Sequence, residues 1–348
     1  MPAAKTPIAP ALEPSGPRKA DHLRIAAGGD VVHRRGTGLE AIRLRHRALP
    51  GRDLDDVALG VDLLGARLAA PLFVSAMTGG TREARVINDR LAQAAADHGI
   101  AMTLGSGRAL LDDPSLLRTY RSRDRPPLLL ANLGAVQLAA ADGVERALVL
   151  VDLLGADGLS VHLNPLQEAV QPEGETAFGG VTEAIARAVT RLAPLPVVVK
   201  EVGFGMDGAD VALLTEAGVA AVDVAGAGGT NWALVEGRRD PAAGAVAEAF
   251  AEWGVGTLDA LRGALRAAPR LPVIASGGLC DGVEAAKCLA LGATGAGLAR
   301  PLLRAAQDDH AGETLATLLR QLRIATWAAG APAVTALGPE HLAAIGAA

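Results

Sequence analysis

Aromatic residues and cysteines are scarce in this chain of 348 residues. Aromatic residues make up only 2% of it while half of it is hydrophobic, so Ala, Val and Leu must fill the core. Its two cysteines, Cys280 and Cys288, are too few for a four-cysteine zinc site or a disulfide framework. We expect both thiols to stay reduced in a cytoplasm.

The chain also lacks an excess of positive charge and long apolar runs. Its net charge of −5 argues against a nucleic-acid partner, and the basic cluster between Arg43 and Arg52 is read as a solvated face. No apolar core of a signal peptide is present at the N-terminus, and Gly, Pro and charges interrupt every apolar stretch. We therefore expect a cytoplasmic protein with no membrane or nucleic-acid partner.

Composition and pattern divide the chain into four segments. Residues 1–17 carry five prolines and are expected to form a flexible tail. Residues 18–70 are expected to form a helix from Arg18 to about Ala27 and then short strands, with a hairpin turn at Gly65. Residues 71–330 are expected to form the main domain, and residues 331–348 a C-terminal tail.

The main domain shows eight short apolar runs, each followed by a longer amphipathic stretch. Continuous apolar runs are typical of strands that are buried on both faces of a parallel sheet. Eight such units predict an α/β protein with a (β/α)8 TIM barrel and an N-terminal extension, and an open doubly wound sheet is the alternative. The runs are Leu72–Ala76, Ile100–Leu104, Leu128–Asn132, Gly158–His162, Val197–Val202, Ala220–Ala225, Val273–Ser276 and Thr294–Ala299.

Helical patterns lie between the runs. They cover Thr81–His98, Thr182–Ala193 and Asp281–Leu291. The last of them opens with a capping-box pattern in which Asp281 is the N-cap and Glu284 the third helical residue. About twenty poorly patterned residues follow Trp232, and a loop of that length is expected to be a functional lid or disordered.

Unusual polar residues follow the predicted strands at their carboxyl ends, where barrel enzymes place their active sites. Glycines after the seventh run and around the eighth predict a phosphate site, because glycine lets backbone N–H groups approach an anion and a helix N-terminus attracts it. The alternative is that these glycines only permit tight turns. The segments concerned are Met77-Thr78-Gly79-Gly80, Gly105-Ser106, Asn132, His162-Leu163-Asn164, Lys200-Glu201, Ser276-Gly277-Gly278 and Gly292–Pro301.

Two features favour specific chemistry. Lys200 at a buried strand end is costly without an anionic partner, which a reduced flavin or Glu201 could supply, and aldolase barrels that form a Schiff base also use such a Lys. The segment from His162 to Glu168 supplies phosphate donors, a neutral Gln167 to handle or position a proton, and one carboxylate suited to Mg²⁺. Pro165 is expected to force a turn there.

From Arg18 to about Ala329 the chain resembles type 2 isopentenyl diphosphate isomerases, the FMN-dependent isopentenyl-diphosphate delta-isomerase family. The segment from His162 to Glu168 is the most specific match. The other matching segments are Arg18-Lys19-Ala20-Asp21-His22, Ser75–Gly80, Gly105–Arg108, Lys200–Gly203, Gly228–Trp232 and the late glycine clusters.

The resemblance implies interconversion of isopentenyl and dimethylallyl diphosphate in isoprenoid biosynthesis. It implies reduced FMN and Mg²⁺ as cofactors, NADPH as a reductant, and homo-tetramers or octamers. The implied FMN residues are Ala76, Met77, Thr78, Ser106, Asn132, Lys200, Thr230, Gly277, Gly278, Leu279, Cys280, Ala299 and Arg300. The implied substrate residues are Arg18, Lys19, His22, Ser106, Arg108, His162, Asn164 and Gln167. Glu168 would bind Mg²⁺, and Gln167, Lys200 and Glu236 would take part in catalysis.

Two positions depart from the family pattern: Gly107 replaces a larger residue, and Asn231 stands where Ser is usual. Both bear on pocket shape and substrate preference. The alternative enzyme class is the FMN-dependent 2-hydroxy-acid oxidases and dehydrogenases, which need a His base near the late strands. Here no His lies between His162 and His310, which counts against that class. A non-catalytic flavin or phosphate carrier would not need the segment from His162 to Glu168.

Overall fold

A computed structural model of the chain describes residues 15–28 and 30–344. In chain order its strands are β1 (Ile42–Leu44), β2 (Val61–Leu63), β3 (Ala66–Leu68), β4 (Leu72–Val74), β5 (Ala101–Thr103), β6 (Leu129–Gly134), β7 (Gly158–Leu163), β8 (Val197–Glu201), β9 (Ala221–Asp223), β10 (Val273–Ala275), β11 (Gly295–Leu298) and β12 (Leu342–Ala344). Its α-helices are α1 (Ser15–Gly28), α2 (Arg82–Asp97), α3 (Arg108–Asp112), α4 (Ala135–Ala139), α5 (Gly143–Leu154), α6 (Pro165–Val170), α7 (Val181–Leu192), α8 (Gly208–Glu216), α9 (Trp232–Arg239), α10 (Gly244–Glu248), α11 (Thr257–Ala267), α12 (Gly282–Leu291), α13 (Arg300–Gln307) and α14 (Ala311–Ala328). Short 3₁₀ helices cover Leu39–Ala41, Leu54–Asp56, Pro114–Thr119, Pro241–Ala243, Val334–Ala336 and Pro339–His341.

Strands β4 to β11 form a closed parallel barrel, which confirms the predicted (β/α)8 fold. Each strand pairs with the next in chain order, and β11 closes on β4 with Gly297 opposite Phe73. Each of the eight strands lies within the corresponding apolar run or extends it by one or two residues. Aliphatic side chains between barrel and helices form the main core, as the low aromatic content requires. No helix in the described part of the chain is long and apolar enough to cross a bilayer.

The hairpin of β2 and β3 closes one end of the barrel. Its two-residue turn, Leu64-Gly65, has φ angles of 52° and 82°, which is the left-handed geometry that a tight hairpin needs and that glycine favours. Leu63 and Leu68 from the hairpin pack with Phe73 near the start of β4 in a small apolar cluster. The opposite end, where the strands finish, is therefore left for a site.

Both ends of the described chain are ordered against the barrel. Helix α1 begins at Ser15, three residues before the predicted start, and residues 1–14 of the predicted tail lie outside the described residues. Within the predicted C-terminal tail, β12 pairs antiparallel with β1, so Ile42 faces Ala344. Much of that segment thus belongs to the folded body.

Two segments that were predicted to be non-helical form helices in the structure. Pro165 does not force a turn: it is the first residue of α6, where its missing N–H costs no helical hydrogen bond. The stretch after Trp232 is not an unstructured loop, because α9, a 3₁₀ turn and α10 occupy it. Both predictions were wrong.

The N-cap of α12 is formed as predicted, but its reciprocal bond differs. Asp281 accepts from the backbone N–H groups of Val283 (2.9 Å) and Glu284 (2.8 Å). The Glu284 carboxylate accepts from the N–H of Cys280 (2.7 Å) and not from that of Asp281. The Glu284 side chain therefore anchors the loop before the helix, at the edge of the site described next.

Candidate active site

The carboxyl ends of the barrel strands surround a cavity of about 1600 Å³. Strand-end loops, α1, α6 and the start of α13 line it. The sequence-predicted residues that line it are Arg18, Lys19, His22, Ala76, Met77, Thr78, Ser106, Arg108, Asn132, His162, Asn164, Gln167, Glu168, Lys200, Thr230, Gly277, Gly278, Leu279, Cys280, Ala299 and Arg300. Glu236 is the exception among the predicted residues: its side chain is fully buried behind the wall.

Glycines at the ends of β9 and β10 form one side of the cavity by close backbone packing. A Cβ at Gly277 would lie 2.0 Å from the carbonyl oxygen of Gly226, and one at Gly278 would lie 2.6 Å from the carbonyl carbon of Gly228. Gly278 also has a φ of +79°, which L-residues rarely adopt. Only glycine is therefore compatible with this backbone arrangement.

This glycine-lined side has the chemistry of a phosphate cradle. Among residues 15–28 and 30–344, no protein oxygen accepts from the backbone N–H groups of Gly277, Gly278 and Leu279. Helix α13 begins at Arg300, whose buried Nε has no partner in the described chain, and a helix N-terminus attracts anions. These donors fit a phosphate group such as the one that FMN carries.

Lys200 is buried at the end of β8 and lines the cavity. Its Nζ donates to the main-chain oxygen of Glu201 and not to the Glu201 carboxylate. That carboxylate instead accepts from the backbone N–H groups of Val202 (2.6 Å), Gly203 (2.6 Å) and two following residues. Burial raises the pKa of Glu201 to about 7. The alternative of a Lys200–Glu201 side-chain ion pair is thus not what the geometry shows.

Asp223 is a buried acid near Lys200 that sequence reasoning missed. It pairs with Lys200 in the β8–β9 register, and its carboxylate accepts from Ser276 Oγ (2.5 Å). Burial raises its pKa, while Lys200 and Ser276 act to lower it. The signal was available, because Asp223 is an acid within an otherwise apolar strand.

His162 lies at the end of β7 beside Asn132 on β6. Its Nδ1 is 2.9 Å from Asn132 Oδ1, an oxygen that only accepts, so the contact requires a proton on Nδ1. Burial, with Lys200 and Lys19 nearby, lowers the pKa of His162 to about 3. The ring is thus neutral at neutral pH and donates through Nε2 only when an anion stabilises its protonated form.

Glu168 on α6 is held by two donors from different segments. Asn164 Nδ2 donates to its Oε1 (2.9 Å), and the backbone N–H of Glu175 donates to its Oε2 (2.8 Å). The described residues contain no cluster of three or more His, Cys, Asp or Glu side chains that would hold a metal alone. One carboxylate beside an anion-binding surface fits Mg²⁺, which typically binds few carboxylates together with phosphate oxygens.

A fully buried carboxylate, Glu236 on α9, joins three segments behind the wall. Its Oε1 accepts from Gln167 Nε2 (2.8 Å) and lies 2.9 Å from His22 Nε2, while its Oε2 accepts from Arg239 Nε (2.8 Å). Burial alone would raise its pKa, but these contacts hold the pKa below its usual value. Arg239 also donates to the Glu173 carboxylate (2.6 Å). Neither of these two residues was predicted from the sequence to belong to the site.

The basic end of the cavity is formed by α1 and α3. Burial, together with Arg18 and Arg108, lowers the pKa of Lys19 to about 7. Arg108 pairs with Glu175 (2.5 Å), and Arg18 lies 3.9 Å from Glu173. Both acids come from the loop after α6, so the cationic groups predicted to bind substrate are held by residues that the sequence did not single out.

The two departures from the family pattern lie outside the cavity lining. A Cβ at Gly107 would be 2.5 Å from Leu150 Cδ1, so Gly107 makes room for a core leucine. Asn231 is fully buried, caps α9 through Leu234 N (3.1 Å) and donates to Phe250 O (2.9 Å). Both residues therefore serve packing, and the expected effect on pocket shape is not seen in the lining.

Comparison with known proteins finds one matching family model and relatives that share one name. A family model described as FMN-dependent dehydrogenase matches residues 156–344. The isopentenyl-diphosphate delta-isomerase of Xanthobacter autotrophicus is 47% identical over 336 residues, covering 94% of this chain and 98% of that protein. The protein of the same name from Nostoc sp. is 46% identical over 299 residues, covering 84% and 85%.

Solved structures share the fold at low sequence identity. A flavocytochrome b2 variant with benzoylformate has a TM-score of 0.66 at 17% identity, covering 93% of this chain and 82% of that chain. A mandelate oxidase variant with benzaldehyde has a TM-score of 0.65 at 22% identity, covering 94% and 93%. At this low sequence identity the likeness shows only that the fold is shared.

Proposed function

The chain belongs to the isopentenyl-diphosphate delta-isomerases within the FMN-dependent dehydrogenase family, and we propose that it interconverts isopentenyl and dimethylallyl diphosphate. One observation carries the proposal. A single cavity combines a glycine-lined anion cradle, a cationic end, and the α6 segment that bears Gln167 and Glu168. A flavin enzyme that acts on a diphosphate needs these three sets of groups in one place.

FMN is proposed to occupy the side of the cavity formed by the late strands, with its phosphate at the backbone N–H groups of the cradle. The unpartnered Arg300 Nε and the start of α13 support this position. Bound reduced FMN supplies acid and base groups at its ring nitrogens. Lys200 would hold negative charge on the ring. The remaining proposed FMN residues are Ala76, Met77, Thr78, Ser106, Asn132, Thr230, Gly277, Gly278, Leu279, Cys280 and Ala299.

The substrate diphosphate is proposed to bind Arg18, Lys19 and Arg108 at the cationic end. His22, Ser106, His162 and Asn164 would complete its surroundings. A Mg²⁺ ion would join Glu168 to the diphosphate, because a lone carboxylate becomes a good magnesium ligand when phosphate oxygens complete the shell. The Asn164 and Glu175 hydrogen bonds already hold the Glu168 carboxylate in one orientation.

Moving the double bond requires a proton to be added at one carbon and removed at another. Gln167 is the proposed side chain at the reacting carbons, because a neutral amide is less costly than a carboxylate beside a hydrocarbon. Its Nε2 donates to Glu236 Oε1, and its Oε1 accepts from Asn164 Nδ2 at 3.3 Å. Glu236 is out of reach of the cavity and is a positioning residue that fixes the Gln167 amide.

NADPH as the reductant, a tetrameric or octameric assembly and a cytoplasmic location complete the proposal. The two free thiols, Cys280 at the surface and Cys288 in the core, suit a reducing compartment. The assembly rests on the family resemblance, and light scattering of the purified protein will test it.

The direct test incubates the purified protein with FMN, NADPH, Mg²⁺ and isopentenyl diphosphate in deuterated water. We expect dimethylallyl diphosphate to form and deuterium to appear in both isomers, and a separate assay with 2-hydroxy acids should give no peroxide. Peroxide formation without isomerisation would instead favour the oxidase class. His310, the next histidine after His162, lies 62% exposed at the start of α14, which does not favour that class.

A further inference from the structure

Tyr120, the only tyrosine in the chain, contacts the basic end of the cavity from behind. Its Oη accepts from Lys19 Nζ (2.7 Å) and donates to the main-chain oxygen of Ser106 (2.8 Å). Lys19 Nζ also donates to the same Ser106 oxygen (3.2 Å). The single hydroxyl proton is thus committed to Ser106, and a lone pair of the hydroxyl faces the ammonium.

The phenol ring is fixed by its surroundings. Tyr120 is 1% exposed, and a Cβ at Gly79 would lie 1.9 Å from its ring carbon Cε1. The main-chain oxygen of the preceding residue, Thr119, accepts from Asn88 Nδ2 (2.9 Å), which holds the backbone that carries the ring. The hydroxyl therefore has one position available, set by the backbone on both sides.

Lys19 needs such a partner because its surroundings oppose a positive charge. The charged and titratable groups that act on it are Arg18 on α1 and Arg108 on α3, with His162 of β7 also nearby. Burial and the two arginines lower its pKa to about 7. The described structure gives its ammonium two neutral acceptors, Tyr120 and Ser106, and one N–H bond of the ammonium remains to bind an anion.

We propose that Tyr120 is a positioning residue that holds the Lys19 ammonium in place to bind the substrate diphosphate. The proposal rests on the proposed function only for the identity of that diphosphate. Tyr120 lies behind Lys19, so it acts through the lysine and is not itself a catalytic residue.

The test uses Tyr120→Phe, which keeps the ring under Gly79 and removes only the hydroxyl. A hydrogen bond to a charged group is worth about 10- to 100-fold in affinity, and the Ser106 oxygen remains, so we expect a loss of about tenfold. This loss should appear in the KM for isopentenyl diphosphate and in the Kd for inorganic pyrophosphate, with kcat changed less than about twofold.

The pH dependence supplies a readout that a purely structural role would not move. Removing a hydrogen-bond acceptor disfavours the charged form of Lys19, so its pKa falls further. The upper pH limit of pyrophosphate binding should therefore move to lower pH in Tyr120→Phe. An unchanged limit would contradict the proposal.

Two further variants separate positioning from general loosening. Thr119→Val removes the acceptor for Gly80 N–H in the same segment and leaves the Tyr120 hydroxyl in place, so it should leave pyrophosphate affinity within about twofold of wild type. In a Lys19→Met background, adding Tyr120→Phe should weaken binding no further, because the hydroxyl acts only through the lysine. Additive losses, or an equal loss in Thr119→Val, would overturn the proposal.

All binding measurements use the FMN-loaded protein and inorganic pyrophosphate, which needs no turnover. If the wild-type protein binds pyrophosphate but does not isomerise isopentenyl diphosphate, the proposed function fails while the Tyr120–Lys19 coupling is still measured. If Tyr120→Phe binds and turns over like wild type, the coupling fails while the proposed function stands.

Discussion

Glu236→Gln is the change that most sharply tests how the catalytic amide is held. The substitution keeps the size of the side chain and removes its charge. Glu236 is fully buried, with Gln167 and His22 at one oxygen and Arg239 at the other. A glutamine there has one oxygen and one NH₂ group, so the NH₂ must face a donor on one side or the other.

The stability cost follows from the contact that is lost. Removing one partner of a buried ion pair costs about 3–5 kcal/mol, but Arg239 keeps Glu173 at 2.6 Å and its side chain is 15% exposed. We therefore expect a loss of about 2–3 kcal/mol in the free energy of unfolding, or a Tm lower by roughly 3–4 °C. Since the Gln167 amide loses its charged partner, kcat should fall by about 100-fold, the scale of one positioned proton-transfer group.

The pH dependence of this loss has a definite sign. The pKa of Glu236 is lower in the folded protein than its ordinary value of 4.5. Its ionisation therefore stabilises the fold above that ordinary pKa, and the contribution disappears as the pH falls through the lower folded-state pKa. The stability difference between wild type and Glu236→Gln should be largest near neutral pH and should shrink below pH 4.5.

Chemical unfolding between neutral and acid pH and steady-state kinetics with isopentenyl diphosphate are the assays. Glu248→Gln is the matched control, because Glu248 is 51% exposed in a surface pair with Arg34 and should cost less than about 1 kcal/mol. A Glu236→Gln variant with wild-type stability and wild-type kcat would refute the positioning role. A loss of stability with unchanged kcat would limit Glu236 to folding.

Three other changes test separate parts of the account. Gly278→Asp places a carboxylate and a strained backbone at the cradle, so the folded variant should lose FMN on gel filtration; retained flavin would move the phosphate elsewhere. Glu168→Gln should keep FMN but lose the Mg²⁺ dependence of the rate, and an unchanged Mg²⁺ titration would exclude it as the ligand. Asn231→Ser should keep the α9 cap but lose the Asn231 Nδ2 bond to Phe250 O, which still accepts from the N–H of Trp253 (3.1 Å), so the free energy of unfolding should fall by about 0.5–1.5 kcal/mol, with denaturant titration as the measurement.

The barrel could be predicted from the sequence because its strands are short, continuous apolar runs bounded on both sides by glycine, proline or polar residues. When eight such runs alternate with helical patterns, few folds other than a closed parallel barrel can accommodate them. The site was predictable for the same reason: parallel strands bring their carboxyl ends together, so polar residues that follow different strands must converge. For this reason Lys200 and Gly277, which are 77 positions apart in the chain, line the same cavity.

Partners that come from outside the strands were not predictable. Tyr120 contacts Lys19 across 101 positions, and neither lies in a barrel strand, so no periodic pattern relates them. Arg239 was hidden because the stretch after Trp232 is rich in Ala and shows no clear helical period, although it folds into α9 and α10. The turn predicted at Pro165 was wrong because proline suits both a turn and the first position of a helix, and here it begins α6.

The central claim is that this protein moves protons and transfers no net hydride to its substrate. The most direct measurement is an anaerobic assay in which NADPH is limited to one equivalent per bound FMN. We predict that this single reduction supports many turnovers of isopentenyl diphosphate, with NADPH consumption ending while dimethylallyl diphosphate continues to form. Product that forms in step with NADPH and stops with it would contradict the account.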